Sequence, residues 1–197
     1  PFTAFRYHLK YIHNRGGTMN PRLQTIPSRN LVAQPASLWS EQWFLLTSGN
    51  FSAGKFNAMT VSWGSLGYIW QKPFAMVVVR PTRFTYNFME EFNTFTLCAF
   101  PLDSQPALRL LGSRSGRNGD KIADSGLTPI PAMQVAAPVY AEAELTIECR
   151  KMFYQDFDPT HFLDPEIMLQ YSKSDYHRMY FGEILHIRGI EKFMSQP

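Results

Sequence analysis

Apolar residues in this chain recur mostly at every second position, the spacing of strands. Residues 43–47 are a short apolar run closed by the turn cluster Ser48-Gly49-Asn50, which predicts a first strand. Residues 58–63 mix apolar side chains with hydroxyls and end at Gly64, predicting a second. Residues 74–79 are apolar throughout and β-branched at their end, the pattern of a strand covered on both faces. Phe95, Leu97 and Ala99 alternate with Thr94, Thr96 and Cys98, and Leu145, Ile147 and Cys149 alternate with Thr146, Glu148 and Arg150. That period of two predicts half-buried strands. A last apolar stretch over 179–190 is interrupted by Gly182 and Gly189, where a bend or bulge is expected.

Helical signals are fewer. Thr82 is placed to cap a helix reaching residue 92, with Phe84, Phe88 and Phe92 four apart on one face. Residues 106–111 predict a second helix stopped by Gly112, and residues 120–125 a third ended by Gly126. Residues 165–171 predict a fourth, with Asp164 as cap and Pro165 in the first helical position. Strand follows strand without the regular helix alternation of a doubly wound parallel sheet. About six strands with short helices between them predict a mainly β, single-domain antiparallel barrel.

Composition narrows the class. The 197 residues are 45% hydrophobic, 15% aromatic and 18% charged, enough apolar surface for a core and the opposite of a disordered chain. The longest apolar run is far below the ~20 residues of a membrane-spanning helix. Cys98 and Cys149 form no disulfide framework and no Cys-x-x-Cys pair, so buried thiols and a cytoplasmic location are expected.

The net charge of +3 is uneven: Arg6, Lys10, Arg15, Arg22 and Arg29 face no acid before residue 41, and the remainder is slightly acidic. A nucleic-acid partner is therefore not expected from charge. The string Arg15-Gly16-Gly17-Thr18-Met19 reads like a translated ribosome-binding site before a start codon. Met19 is thus the expected start, residues 1–18 an upstream extension or disordered leader and 19–197 one domain.

Candidate chemistry concentrates in two places. In Val77-Val78-Val79-Arg80-Pro81-Thr82-Arg83 a buried strand delivers the chain to a helix start. Unpaired N–H groups and the helix dipole there favour an anion, and two arginines with a hydroxyl are what a phosphate needs. An ordinary capped helix with solvated arginines is the alternative. Along residues 54–64, small and hydroxyl side chains alternate on an apolar strand. A flat ligand could approach that backbone, with Asn57, Thr60 and Ser62 offering hydrogen bonds; a barrel strand with one wet side is the alternative.

Elsewhere the signals are weaker. Asp156, Asp158, His161 and Asp164 have ligand chemistry but no zinc or calcium spacing, and their Asp-Pro pairs read as turns, so no metal site is expected. Gly112, Gly116 and Gly119 do not form a dinucleotide fingerprint and read as a loop carrying Arg117. No nucleophile elbow, His-Glu-x-x-His or phosphate-loop sequence is present.

The stretch Asn57-Ala58-Met59-Thr60-Val61-Ser62-Trp63-Gly64, followed by Arg80-Pro81-Thr82-Arg83-Phe84-Thr85-Tyr86, resembles the flavin reductase-like FMN-binding split-barrel family, most closely its flavoredoxin-like branch. Ser115-Gly116-Arg117 with Asp120-Lys121, and His177 ahead of Gly182-Glu183-Ile184, agree with it across roughly residues 40–190.

The resemblance implies a six-stranded antiparallel Greek-key split barrel that works as a homodimer with FMN near the subunit interface. It places Asn57, Ala58, Met59, Thr60, Val61, Ser62 and Trp63 along the flavin ring and ribityl chain. Arg80, Thr82, Arg83, Thr85 and Tyr86 would hold the phosphate, with Ser115 and Arg117 nearby, and His177 is the catalytic candidate beside the nicotinamide or acceptor. The implied activity is an oxidoreductase in which NAD(P)H gives a hydride to flavin N5 and electrons pass on to an acceptor.

Two departures stand out: Tyr176 separates Asp175 from His177, and residues 156–175 read as an insertion. A flavoredoxin-like carrier taking electrons from a protein partner, without NAD(P)H turnover, is the alternative. An aromatic-rich barrel binding single-stranded nucleic acid is a third, disfavoured because the aromatics sit in apolar strands and helix faces.

Overall fold

The structure, a computed structural model, describes residues 18–195. Most of the expected upstream extension, residues 1–17, lies outside the described residues. In chain order the strands are β1 (Gln24–Thr25), β2 (Phe44–Asn50), β3 (Lys55–Val61), β4 (Gly64–Ile69), β5 (Lys72–Val79), β6 (Thr94–Ala99), β7 (Pro129–Ile130), β8 (Val139–Tyr140), β9 (Leu145–Asp156) and β10 (Arg178–Gly189). The α-helices are α1 (Pro35–Ser37), α2 (Phe84–Glu91), α3 (Gln105–Ser113) and α4 (Lys121–Ser125).

All pairings are antiparallel, in the order β3-β2-β6-β9-β10-β5-β4, with β1 added to β10; β7 and β8 form a small separate hairpin. The order leaves β3 and β4 at opposite ends although only Ser62 and Trp63 separate them in sequence. The barrel is therefore split along that seam, and the fold is the mainly β, antiparallel class expected, with more strands than six.

Four strands were not expected, and β4 is the longest of them, since β1, β7 and β8 have two residues each. Gly64 and Gly67 within it weaken the strand signal. Its two-residue turn, Trp70-Gln71, has φ of 50° and 58° at residues not usually found there.

Side chains of alternating strand positions feed two cores. Phe44, Leu46, Met59, Val77, Val79, Phe95, Leu97, Ile147 and Tyr180 fill the barrel. Leu45, Ala58, Cys98 and Phe100 point outward and meet Leu108, Leu111, Ile122, Val139 and Tyr140 from α3, α4 and the hairpin. This corrects the expectation of half-buried strands: β6 beyond Thr94 and the first half of β9 are buried on both faces. Two of their outward polar groups, Thr96 and Glu148, are satisfied inside that second layer, whereas the buried Thr146 hydroxyl has no hydrogen-bond partner among the described residues. Thr96 donates to the Pro138 carbonyl at 2.6 Å, and the Glu148 carboxylate accepts from the Met133 and Gln134 N–H groups at 3.0 and 2.6 Å. The free thiols Cys98 and Cys149 are buried in the same two strands, and burial pushes both up.

Three helix expectations change. α2 starts after Arg83 with no side-chain cap, because the cap position falls on Arg83, which has no acceptor to offer, while Thr82 stands one residue earlier and its hydroxyl donates to Asp175 at 3.4 Å. Gly112 does not stop α3, which runs on to Ser113. A Cβ at Gly112 would come within 3.2 Å of Thr60, so close packing on β3 explains the glycine. Residues Pro165–Tyr171 form a 3-10 rather than an α-helix, capped as expected by Asp164. Other expectations hold. The third helix forms as α4 and Gly126 ends it in the left-handed conformation, with Asp120 as a cap the sequence reading did not assign, and the Phe84-Phe88-Phe92 face is intact at 5.2 and 6.3 Å between rings. β10 is irregular next to Gly182, where its register against β9 shifts.

Candidate functional site

The site lies on β3 and the elements packed over it: the start of α2, the end of α3, the 113–120 loop and His177. A cavity of about 130 Å³ is lined by Asn57 and Met59 from β3, residues 82–85, and residues 111–117 with Lys121. Arg83, Arg114, Arg117 and Lys121 line it and no carboxylate does. Arg83 donates to the Gly112 carbonyl at 3.4 Å, and Arg117 donates to the Thr82 carbonyl at 3.3 Å with its guanidinium 4.9 Å from the Phe84 ring centre. Arg114 faces outward to Asp124 at 3.1 Å. Because α2 lacks a side-chain cap, the positive end of its dipole adds to the same field.

Lys121 is buried and donates to the Leu111 and Arg114 carbonyls at 2.7 and 3.0 Å, closing the end of α3. Burial first, and the Arg83 charge second, push its amine down to about 8. The cavity wall is fixed by Asn57, 4% exposed, which donates to the Thr85 hydroxyl at 2.7 Å. Gly116 presses against it: a Cβ there would sit 2.3 Å from Asn57 Oδ1 and 3.0 Å from the Phe84 ring. Gly116→Ala should therefore displace the loop and lower stability by about 1–3 kcal/mol; a thermal denaturation midpoint equal to that of the unaltered chain would contradict this packing.

A second cavity, of about 230 Å³, continues along β3 and is lined by residues 59–63, Val78, Arg80, Arg83 and His177. Met59 and Arg83 border both chambers. Trp63 is 43% exposed and its ring centre lies 5.1 Å from that of His177. His177 is buried, with Nδ1 2.9 Å from the Tyr171 hydroxyl and the Phe157 ring on another side. Burial, reinforced by the neighbouring Arg80 charge, pushes its imidazole down to about 4, so it is neutral at neutral pH.

The structure brings together most of the residues singled out from sequence but divides them. Asn57, Met59, Thr82, Arg83, Thr85, Ser115 and Arg117 line the cationic cavity. Thr60, Val61, Ser62, Trp63 and Arg80 line the second. Thr60 spends its hydroxyl on the Leu108 carbonyl at 2.5 Å. Ala58 is buried in the outer core, and Tyr86 packs on the barrel core with Arg178 over its ring; neither lines either cavity.

Arg80 differs most from expectation. It donates to Asp175 at 2.6 Å and to the Gln170 carbonyl at 2.7 Å, and it stacks on Tyr171 at 5.0 Å. The 156–175 segment folds back onto this arginine. Asp175→Asn should loosen the segment, seen as faster proteolytic cleavage within residues 157–176 and a small change in melting; unchanged cleavage would show that the pair holds nothing.

Lys121, Arg114 and Ser113 were not singled out as site residues. The available signal was the Asp120-Lys121 pair, a helix cap followed by a lysine next to apolar Ile122. Of the weaker candidates, Asp156 is held by Arg178 at 2.7 and 2.8 Å, while Asp158 and Asp164 cap short 3-10 turns. Among the described residues no helix is long and apolar enough to cross a membrane.

Residues 39–194 match the flavin reductase like domain. An uncharacterized protein of Pyrococcus abyssi is 25% identical over 160 residues, 78% of this chain and 90% of that one. The FMN-binding domain of a flavin reductases-like enzyme from Shewanella baltica superposes with a TM-score of 0.62 at 16% identity, covering 87% of this chain and 78% of that one. Flavoredoxin of Desulfovibrio vulgaris gives 0.60 at 24% identity, covering 81% and 73%. At these identities the two structures establish likeness of fold.

Proposed function

The chain belongs to the flavin reductase like domain family, and from that premise we propose that it is an FMN-dependent oxidoreductase using NAD(P)H as hydride donor. One observation carries the reading. An acid-free cavity lined by four cations shares Met59 and Arg83 with a second chamber bordered by Ser62, Trp63 and His177. A molecule with a phosphate at one end and a flat ring at the other fits that pair of chambers. The donor set suits the phosphate: guanidinium groups give charge-assisted hydrogen bonds, and the uncapped helix start favours an anion.

Bound there, the flavin would supply hydride acceptance and onward electron transfer. Arg83 and Arg117 would hold the phosphate, with the backbone of 113–117 shaping its seat. Asn57 keeps β3 and α2 in fixed register through Thr85. Trp63 and His177 wall the ring-side chamber and exclude water. Neutral His177 acts there as a positioning group, and hydride transfer to the ring demands no proton from it.

Purified protein should be yellow, release FMN on denaturation, and lose its visible flavin band when mixed anaerobically with NADH or NADPH. Protein that stays colourless in excess FMN would end the flavin reading. A flavin that neither nicotinamide bleaches would leave the carrier reading, in which a protein partner delivers the electrons. The inserted segment supplies a reason to keep that second reading, since Leu163 and Leu169 stand 96% and 79% exposed on it. The homodimer belongs to the same proposal. Tyr68 and Trp70, 71% and 54% exposed on the edge hairpin β4–β5, offer the apolar surface it would bury.

A further inference from the structure

Residues 157–177 close on themselves, the Phe157 N–H donating to the His177 carbonyl at 3.0 Å. The 3-10 turn Pro165–Tyr171 within them brings the Tyr171 hydroxyl to 2.9 Å from His177 Nδ1, and both residues are buried. We propose that Tyr171 is a positioning residue: its hydroxyl holds the His177 proton on Nε2, and the N–H fixed there serves the ring-side chamber as a donor that favours reduced over oxidised flavin; the second half of the inference rests on the flavin reading above.

The direction of the Tyr171–His177 bond follows from counting donors. A buried O–H needs an acceptor more than a buried oxygen needs a second donor. Among the described residues, His177 Nδ1 is the acceptor within reach of the Tyr171 hydroxyl, so the hydroxyl donates and Nδ1 accepts. A neutral imidazole that accepts at one nitrogen carries its proton on the other. Burial pushes the Tyr171 phenol up and the His177 imidazole down to about 4, so each keeps the protonation this bond requires at neutral pH.

Packing holds the pair in place. Phe162 stacks on the Tyr171 ring at 5.7 Å and 7°, Tyr176 lies 5.0 Å away, and Arg80, paired with Asp175, lies over the same ring at 5.0 Å. The imidazole is walled by Trp63, Phe157 and Tyr171 at 5.1, 6.3 and 5.6 Å between ring centres. His177 lines the chamber and Tyr171 stands behind it. Nε2 makes no hydrogen bond among the described residues, yet it is not one of their buried unpaired atoms, so it is open to a ligand. Reduction adds electron density to a flavin ring, and a fixed neutral N–H at the ring's edge stabilises that density.

Ring-nitrogen NMR of the flavin-free full chain tests the first half, with the His177 signals assigned by their loss in His177→Gln. Nε2 should be protonated and Nδ1 bare; a proton on Nδ1 overturns the proposal whether or not flavin binds. Anaerobic titration of oxidised and of reduced FMN into the unaltered chain and into Tyr171→Phe, which keeps the ring and removes the hydroxyl, tests the second. Tyr171→Phe should weaken reduced FMN about tenfold more than oxidised FMN, lowering the bound flavin's midpoint potential by about 30 mV. Equal losses for the two redox forms overturn the proposal, because a merely structural defect weakens both alike. A chain with Nε2 protonated that binds neither form of FMN removes the flavin reading and the donor role with it.

Discussion

Alanine at both Arg83 and Arg117 is expected to weaken FMN binding about a hundredfold. Each replacement removes a charged donor from a cavity that contains no acid, and a hydrogen bond to a charged group is worth roughly 1.5–3 kcal/mol. Both guanidinium groups are exposed, so the lower end of that range applies to each. Arg80→Ala in the same titration should change FMN affinity far less, because Arg80 is already held by Asp175, the Gln170 carbonyl and Tyr171. Equal losses in the two experiments would put the anion between Arg80 and Arg83, and an unchanged affinity in the double variant would place it elsewhere.

Acid should destabilise the fold by up to about 3 kcal/mol through His177 alone, on the 1.36 kcal/mol per unit that links a shifted titration to stability. Its imidazole is pushed down from 6.5 to about 4 by burial first and by Arg80 second. Below 6.5 the unfolded chain takes up a proton that the folded chain refuses, so stability falls as pH falls from 6.5 to about 4 and is flat on this account above 6.5. His177→Gln, which keeps a polar group near Tyr171 but cannot take up the proton, should flatten urea-denaturation free energies across that window relative to the unaltered chain. Parallel curves for the two proteins would show that another group controls the acid limb.

The barrel was legible because strand alternation survives in the sequence wherever one face is more apolar than the other. It failed for the state of burial in β6 and β9. Thr96 and Glu148 read as wet, but they are buried because Pro138 and the 133–134 backbone supply their partners from a distant loop. β4 escaped because two glycines dilute its pattern. The two halves of the site were legible as local motifs, since a strand with small and hydroxyl residues and an arginine-flanked helix start are contiguous in sequence. The different partners of Arg80 and Arg83 were not. They depend on Asp175 and Tyr171 returning to β5's end from some ninety residues downstream, a long-range contact with no local signature. Lys121 was obscured for a related reason: its role becomes visible only when the end of α3 lies against it.

The barrel's seam has a mechanical consequence. Neighbouring strands elsewhere in the order are laced by ladder hydrogen bonds, whereas β3 and β4 stand at its two ends and share none. Widening the gap beside Trp63 therefore costs side-chain contact and leaves every rung of the sheet in place. The cationic cavity is stiff by comparison: the Asn57–Thr85, Thr60–Leu108 and Lys121–Leu111 bonds cross-brace β3, α2, α3 and α4. One end of the ligand would be clamped while the wall at the other yields, and reactants of different bulk could be admitted to the reacting edge without loosening the anchor.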